Sequence, residues 1–511
     1  MLCCGISTSR LHKVFKFRIL LVLCLIVCSI IFLLRSNFMF APSAILDEPG
    51  SLTLGENTQS SSSSSSGSGV EKILKEALEE DKSNPVRDIE VSNEDLKSVE
   101  NSKHHSQKSK DQTRVMKKSY LEIIDETNPS HSIDKDNSYP VHKLKKFAED
   151  MNERQIIFNR DEFPNRPRNG IIVVVQVHKR LEYLVHLLSS LEKAKGVENI
   201  LLIISSDWYS DSIMDAVKKI KFCQVLHVFF PFAEQLHTDK YPGTDPNDCP
   251  RDISRDEARA KKCNNAEYPD KYGHYREAKF TMTKHHWWWK ANAVFDKLSA
   301  TKDAKGPVVF LEEDHFVAPD FFHSLTLLHK IKQSDGRCHG SCEVLNLGMY
   351  VKVENYFSLS KNQVSLTVWR SYDHNMGMTL YQDGWRKIQE CSEIFCTYDD
   401  YNWDWTLMHL SIFCLKRPLK VLSIDLPRVF HIGECGMHHQ GECNTKDIVR
   451  KYEELIEANE SAFFAKKFVI GNTEDGGAHA GVQNGGWGDK RDHSLCNSFV
   501  NKGKEYRIIR L

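Results

Sequence analysis

The chain has 511 residues and a formal net charge of −1. That length allows a large buried core, and the near-neutral balance removes the basic surplus that nucleic-acid binding requires. Charge is nonetheless unevenly distributed, so the chain does not read as one uniform globular domain.

Residues 1–18 carry four Lys or Arg and no acid, and Ile19–Leu34 carries no charge. This apolar run is short for a membrane span, which usually needs roughly 17–25 residues, and it suits a thin early-secretory bilayer. A cleaved signal peptide is the rival, but no small-x-small cleavage site follows. The basic flank comes first, so the positive-inside rule predicts a cytoplasmic tail (1–18), a signal-anchor (19–34) and a luminal remainder. Cys3 and Cys4 are candidates for palmitoylation, or are plain thiols. Residues 35–164, with SSSSSSGSG at Ser61–Gly69 and few aromatics, read as a stem that cannot bury enough apolar area to order itself. Within it Val70–Glu80 and Val141–Gln155 have patterning that transient helices could use, but the favoured reading is a plainly disordered tether.

From about Asn165 the texture changes. Residues 170–180, GIIVVVQVHKR, predict a buried strand and 180–196 an amphipathic helix stopped by Gly196. Further strands are predicted over 199–208, 223–232 and 307–314. Strand, helix, strand at this spacing is a βαβ unit, so residues 165–511 read as an α/β domain with a parallel sheet. No GxGxxG follows the first strand and no GxxxxGK[ST] occurs, which excludes the dinucleotide and P-loop fingerprints. Ligands of open α/β sheets bind beyond the carboxyl ends of the strands. That points to Gln176–Arg180, Ser205–Asp207 and Glu312–Asp314 as one rim.

Four stretches carry candidate chemistry. In FLEEDHFVAPDFF (310–322), strand alternation turns Glu312 and Asp314 to one side and Glu313 to the other. Carboxylates at a strand end can hold a divalent cation that shares its shell with substrate phosphates; a nearby imidazole favours Mn2+ over Mg2+. The alternative is a solvated turn before a helix starting near Pro319. In GHYREAKFTMTKHHWWWKAN (273–292), Trp287–Trp289 read as core, while Lys284, His285 and His286 are candidates for contacting a diphosphate or sugar. In CTYDDYNWDWTLMHL (396–410), aromatics alternate with acids, as carbohydrate recognition uses. Asp399 or Asp400 reads as a helix N-cap, and Asp404, one turn further in, as a candidate general base. In PRVFHIGECGMHH (427–439), His431 ends an apolar strand, and His438 and His439 lie between Cys435 and Cys443.

Eleven of the fifteen cysteines fall between Cys223 and Cys496. In an oxidising lumen they predict disulfides with one thiol left over, and the absence of a CxxC…CxxC pattern argues against zinc. Asn459-Glu460-Ser461 is a glycosylation sequon.

Together FLEEDHFVAPDFF, HYREAKFTMTKHHWWWK, CTYDDYNWDWT, FHIGECGMHH and NGGWGDKRDHSLC resemble the N-acetylglucosaminyltransferase II family over about residues 165–511. The resemblance implies a GT-A fold, a UDP-GlcNAc donor, Mn2+ and an N-glycan acceptor. It implies inverting β1,2 transfer of GlcNAc to the α1,6-arm mannose, by a single-pass type II protein of the Golgi membrane. It assigns Asp314 and His431 to the metal and Asp404 to the catalytic base. Donor contacts fall on Gln176, Val177, His178, Lys179, Arg180, Asp207, Met282, Thr283, Lys284, His285 and His286. Glu354 stands where the family has a donor-contact arginine, so the resemblance does not imply that contact here. Implied disulfides are Cys249–Cys263, Cys338–Cys342, Cys391–Cys414, Cys396–Cys496 and Cys435–Cys443, leaving Cys223 free. Rival readings are a transferase with another acceptor, such as the α1,3-arm mannose, a glycoside hydrolase, and an inactive Golgi lectin. Self-association is a further partner the sequence leaves open.

Overall fold

The computed structural model describes residues 139–350, 356, 358–433, 444–473 and 481–500. The tail, the candidate anchor 19–34, Cys3, Cys4, Val70–Glu80, Glu354, His438, His439 and the Cys435–Cys443 pair lie outside the described residues. Among the described residues, no helix is long and apolar enough to cross a membrane.

The centre is a mixed α/β layer structure built on one ten-stranded sheet. Its strands are β1 (Ile157–Phe158), β2 (Ile172–Val177), β3 (Leu201–Ser206), β4 (Gln224–Phe229), β5 (Val308–Glu312), β7 (Cys342–Asn346), β8 (Gln363–Val368), β9 (Met378–Leu380), β10 (Lys420–Ile424) and β12 (Val469–Thr473). A separate ribbon pairs β6 (His315–Val317) with β11 (Val429–His431). The large sheet runs β1-β4-β3-β2-β5-β9-β7-β10-β8-β12. Strands β4, β3, β2 and β5 are mutually parallel, as the continuous β-branched runs predicted. Each is covered on both faces, so their side chains need no polar alternation. β9 enters antiparallel between β5 and β7.

The order reverses at β2. Its successors β3 and β4 lie to one side and β5 to the other, which makes the β2–β5 boundary a topological switch point. Gln176 pairs with Glu312 across it. The crevice at this boundary is therefore walled by the two segments that the sequence marked as a rim.

The principal helices are α1 (Val141–Arg154), α2 (Leu181–Lys193), α3 (Asp211–Lys218), α4 (Ala278–Asn292), α5 (Phe321–Ser334), α6 (Trp403–Phe413), α7 (Thr445–Ala458) and α8 (Lys490–Ser498). α1 corrects the expectation of disorder up to residue 164. Leu144 and Ala148 are buried, and Phe147 meets the Tyr209 ring edge-on at 5.0 Å. The Asn152 amide brackets the backbone of Phe229, donating to its carbonyl at 2.7 Å and accepting from its N–H at 2.9 Å. β1 then pairs with β4. A short amphipathic helix is marginal alone; here its apolar stripe is stabilised by the sheet edge it covers. A chain shortened to begin at residue 165 is expected to unfold several degrees below one beginning at 139 in a thermal melt, because it bares Phe229 and Tyr209.

Candidate active site

The β6–β11 ribbon explains how two distant segments meet. His315 pairs with His431, and Ile432 N–H donates to the Asp314 carbonyl at 2.8 Å. Below the ribbon, Arg428 Nε donates to Asp320 Oδ1 at 2.7 Å in a fully buried ion pair, which ties the start of β11 to the chain just after β6. This register brings His431 Nε2 to 3.3 Å from Asp314 Oδ2.

The acids at the end of β5 divide as strand geometry demands. Glu313 turns inward, where its carboxylate accepts from His178 N–H at 2.7 Å and from Arg180 Nε at 2.7 Å. Arg180 Nη1 also reaches Asp314 Oδ2 at 2.9 Å. Glu312, Asp314 and His315 each offer a ligand atom, all within 4.8 Å of one another. Burial opposes ionisation of Asp314, but His431 and Arg180 outweigh it and hold the carboxyl below its usual range. Burial and the Asp314 charge push Glu312 upward.

Asp314 Oδ1 is buried with no hydrogen-bond partner. An orphaned carboxylate oxygen beside an imidazole and a second acid is a donor set that fits a divalent cation. The solvated-turn alternative does not fit a buried Asp314. Gly433 closes this cradle: a Cβ there would lie 2.8 Å from Asp314 Cγ and closer still to its Oδ2.

On the β2 side, Gln176 Oε1 accepts from Lys290 Nζ at 2.6 Å. Burial pushes the Lys290 ammonium down to about 7, against the raising pull of Glu312 and Asp207. Val177 is buried, and its carbonyl accepts from Asp207 N–H at 3.1 Å. His178 Nδ1 lies 2.6 Å from Asp207 Oδ1 and its ring is half exposed. Burial works against the Asp207 charge, yet His178 and His286 hold it well below the usual carboxylate range. Lys179 Nζ sits 3.6 Å from the centre of the Trp208 ring. Residues 176–180 and Asp207 thus do form one rim with Glu312–Asp314.

Helix α4 departs from the sequence reading. Lys284, His285 and His286 are each 0% exposed, so these side chains are interior ties rather than ligand-facing groups. Lys284 Nζ donates to the Asp400 carbonyl at 2.8 Å and lies 4.1 Å from the Trp487 ring centre; burial pushes it down to about 7. His285 Nε2 meets Asp492 Oδ1 at 2.8 Å, and His286 joins Ser205 and Asp207. Met282 is buried and Thr283 half-buried. The cause is that α4 is buried from Lys284 to Asn292, between the sheet and α6 and α8; its exposed cation is Lys279, in the first turn. Trp287, Trp288 and Trp289 are core, as predicted.

One of them positions the candidate base. Trp287 stacks on Trp403 with centroids 4.2 Å apart and rings nearly parallel. Trp403 is consequently buried and is not free to face an acceptor. α6 starts at Trp403 with Asn402 as N-cap, so Asp404 lies in the first turn and not one turn further in. Asp399 and Asp400 are loop ties and not caps: Asp399 accepts from Lys271 and Trp487 N–H, and Asp400 from Asn402 and Asn484 N–H. Asp404 Oδ1 accepts from Trp405 N–H at 2.9 Å and Oδ2 from Asn375 Nδ2 at 3.3 Å. Its enclosed surroundings push the carboxyl up to about 7, the Trp405 N–H pulls it down, and Glu312 pushes it up again.

Four features here escaped sequence reasoning. His315 follows the acidic triplet and could have been read as part of it. Lys290 is a charge inside an apolar tryptophan run, a signal of burial with a partner. Tyr350, 56% exposed and edge-on to the His431 ring at 5.6 Å, and the close approach of Gly433 left no local signal.

The disulfides Cys249–Cys263, Cys338–Cys342, Cys391–Cys414 and Cys396–Cys496 are all formed, and Cys223 is free and buried. The sequon at Asn459 can carry a glycan only if it lies on the surface, and the fold buries Asn459. The residue is 6% exposed and its Nδ2, the atom that would carry a glycan, donates to the Leu455 carbonyl at 2.8 Å. Asn459→Gln is expected to leave the mass of the secreted protein unchanged apart from the residue itself. A loss of a glycan mass would show that the sequon is used before the domain folds.

A family profile described as N-acetylglucosaminyltransferase II (MGAT2) matches residues 145–496. The chain belongs to the N-acetylglucosaminyltransferase II family. Proteins named alpha-1,6-mannosyl-glycoprotein 2-beta-N-acetylglucosaminyltransferase are similar to it across species. The Sus scrofa member is 45% identical over 68% of this chain and 77% of its own, and the Homo sapiens member 43% over 68% and 77%. The Arabidopsis thaliana member is 33% identical over 67% and 77%. The family match begins inside α1, consistent with a folded domain that starts before residue 165. Among solved structures, S. aureus TarS overlaps 57% of this chain and 72% of its own at 11% identity and a TM-score of 0.26, a likeness too slight to support an argument.

Proposed function

We propose that this chain transfers GlcNAc from UDP-GlcNAc to O2 of the α1,6-arm mannose of N-glycans, forming a β1,2 bond on a GT-A-type scaffold. Family membership supports the reaction. The single structural observation that carries the mechanism is the placement of Asp404, with its raised pKa, within electrostatic reach of the Glu312–Asp314–His431 rim at the sheet's switch point.

In this reading Asp404 accepts the proton from the mannose 2-hydroxyl as O2 bonds to C1 of GlcNAc. The C1–O bond to UDP breaks, UDP leaves with the electron pair, and configuration at C1 inverts. A carboxylate that titrates near neutrality is suited to take that proton. Asn375 and Trp405 N–H aim it, and the Trp287–Trp403 stack fixes the helix that carries it. The rim Gln176–Arg180 with Asp207 would hold the nucleotide. Asp314 and His431, with Glu312 and His315 beside them, would hold Mn2+, which when bound supplies positive charge next to the diphosphate. Arg180 is placed to keep the acids ionised and oriented. We further propose that residues 19–34 anchor the chain in the Golgi membrane with the catalytic domain luminal.

The test uses a secreted form beginning at residue 139, so that α1 is retained. It is mixed with UDP-GlcNAc, Mn2+ and a biantennary core already bearing GlcNAc on its α1,3 arm. The expected result is a gain of one HexNAc by mass spectrometry, abolished by EDTA. No gain with UDP-GlcNAc still bound would overturn the acceptor and favour another glycan or a lectin role. Activity indifferent to EDTA would overturn the metal.

A further inference from the structure

The acidic site lies at the carboxyl end of β5. At the opposite rim, where β5 and β7 begin, the chain forms a second concavity of about 670 Å3. Lys305 reaches it from the turn before β5, Lys332 from the last part of α5, and His339 from the loop closed by Cys338–Cys342. Its floor is Tyr381, buried and stacked on His329 with centroids 5.5 Å apart, the Tyr381 hydroxyl lying 2.5 Å from His329 Nδ1.

The charge here is lopsided. Lys305 Nζ donates to the neutral Gln382 amide at 2.6 Å. Lys332 Nζ donates to the Cys342 carbonyl and lies 5.1 Å from the Tyr381 ring centre. Arg386 lines the same space, with Asp296 as its partner. One acid, Asp383, opens on the pocket. Two ammonium groups that donate to neutral acceptors around a rigid aromatic floor leave donor capacity for an oxyanion. Burial lowers the Lys332 pKa, a cost that an added anion would relieve. The volume far exceeds one oxyanion and suits a ligand of sugar size, and the exposed Gln333 amide at the rim offers partners for hydroxyls.

We propose that this pocket is a second ligand site, separate from the catalytic rim, that binds a sugar carrying a phosphate or sulfate group through Lys305, Lys332 and His339. The source of the anion is decided by the probes. The full chain in detergent is titrated calorimetrically with mannose 6-phosphate and with N-acetylglucosamine 6-sulfate, and with the two uncharged parent sugars. Saturable binding of at least one charged probe is expected, about tenfold or more tighter than its parent. Lys305→Glu and His339→Glu change exposed residues, so folding is preserved. Each should weaken binding about tenfold while leaving glycosyl transfer unchanged. Lys332→Met, which also removes the tie to Cys342, is expected to abolish binding. Absence of saturable binding by both charged probes up to about 10 mM would overturn the proposal. So would binding that Lys305→Glu and His339→Glu leave as it was.

Discussion

Asp404→Asn is expected to lower turnover by about 10^2–10^4-fold, the usual worth of a positioned general base, while UDP binding in the presence of Mn2+ stays within about twofold. The substitution keeps the shape of the side chain and the bond from Trp405 N–H to Oδ1, and its new amide N–H can donate to Asn375 once that amide turns over to present its unpartnered Oδ1, so the main loss is proton acceptance. The pH dependence follows from the same group. Only the carboxylate can accept a proton, and the carboxyl titrates at about 7, well above an ordinary aspartate. Turnover should therefore climb as pH rises through 7, and about one tenth of the sites are competent at pH 6. Stability runs the other way. A carboxyl whose pKa is raised on folding contributes stability that is complete below its unfolded pKa and lost as pH rises through its folded pKa. Asn mimics the neutral form, so the variant should melt no lower than the parent at pH 8. A variant that is both inactive and less stable at pH 8 would point to damage around Trp403 and not to a missing base. An active one would remove Asp404 from the chemistry.

Gly433→Ala is expected to weaken Mn2+ binding by about 10–100-fold, the range seen when a metal ligand loses its support. The added Cβ would lie within 2.9 Å of three Asp314 side-chain atoms, Cβ and Cγ included. Rotation of the carboxylate cannot clear a clash with Cβ, so either Asp314 or the strand carrying Gly433 must move. The Asp314 carbonyl holds Ile432 N–H, so the displacement would pass directly into β11 and His431. Titration of Mn2+ followed by its electron paramagnetic resonance signal reads this without any turnover. Retained Mn2+ affinity in a folded variant would show that Asp314 is not a ligand. A lowered affinity with a normal melting temperature would locate the loss at the site.

The strands β2, β3, β4 and β5 and helix α2 were legible because their signals are local. Continuous β-branched runs and helical periodicity name an element from its own residues. The rim was legible too, since strand ends in a parallel sheet share a side. The α1 helix was misjudged for the complementary reason: its pattern was visible, but what stabilises it is the β4 edge, which sequence periodicity does not display. Lys284, His285 and His286 failed similarly. Their residue types suggest ligands, and only the burial of α4 from Lys284 to Asn292, with Asp492, Asp207 and the Asp400 carbonyl as internal partners, makes them structural. Asn459 matches a sequon by spelling, while the Leu455 carbonyl that occupies its amide is one helical turn back and invisible to a motif.

By itself the sequence determined the element types, the acidic triplet at a strand end, the aspartate among tryptophans and, through its resemblance, the family and the disulfide partners. These depend on residue identity and short-range spacing. The tertiary structure alone decided that β2 is the switch strand, that the β6–β11 register sets His431 against Asp314, that Gly433 abuts that carboxylate, and that Asp404 titrates near neutrality. Each of those depends on which distant backbone or charge comes close, because desolvation, Coulomb interactions and steric exclusion act through space and not along the chain.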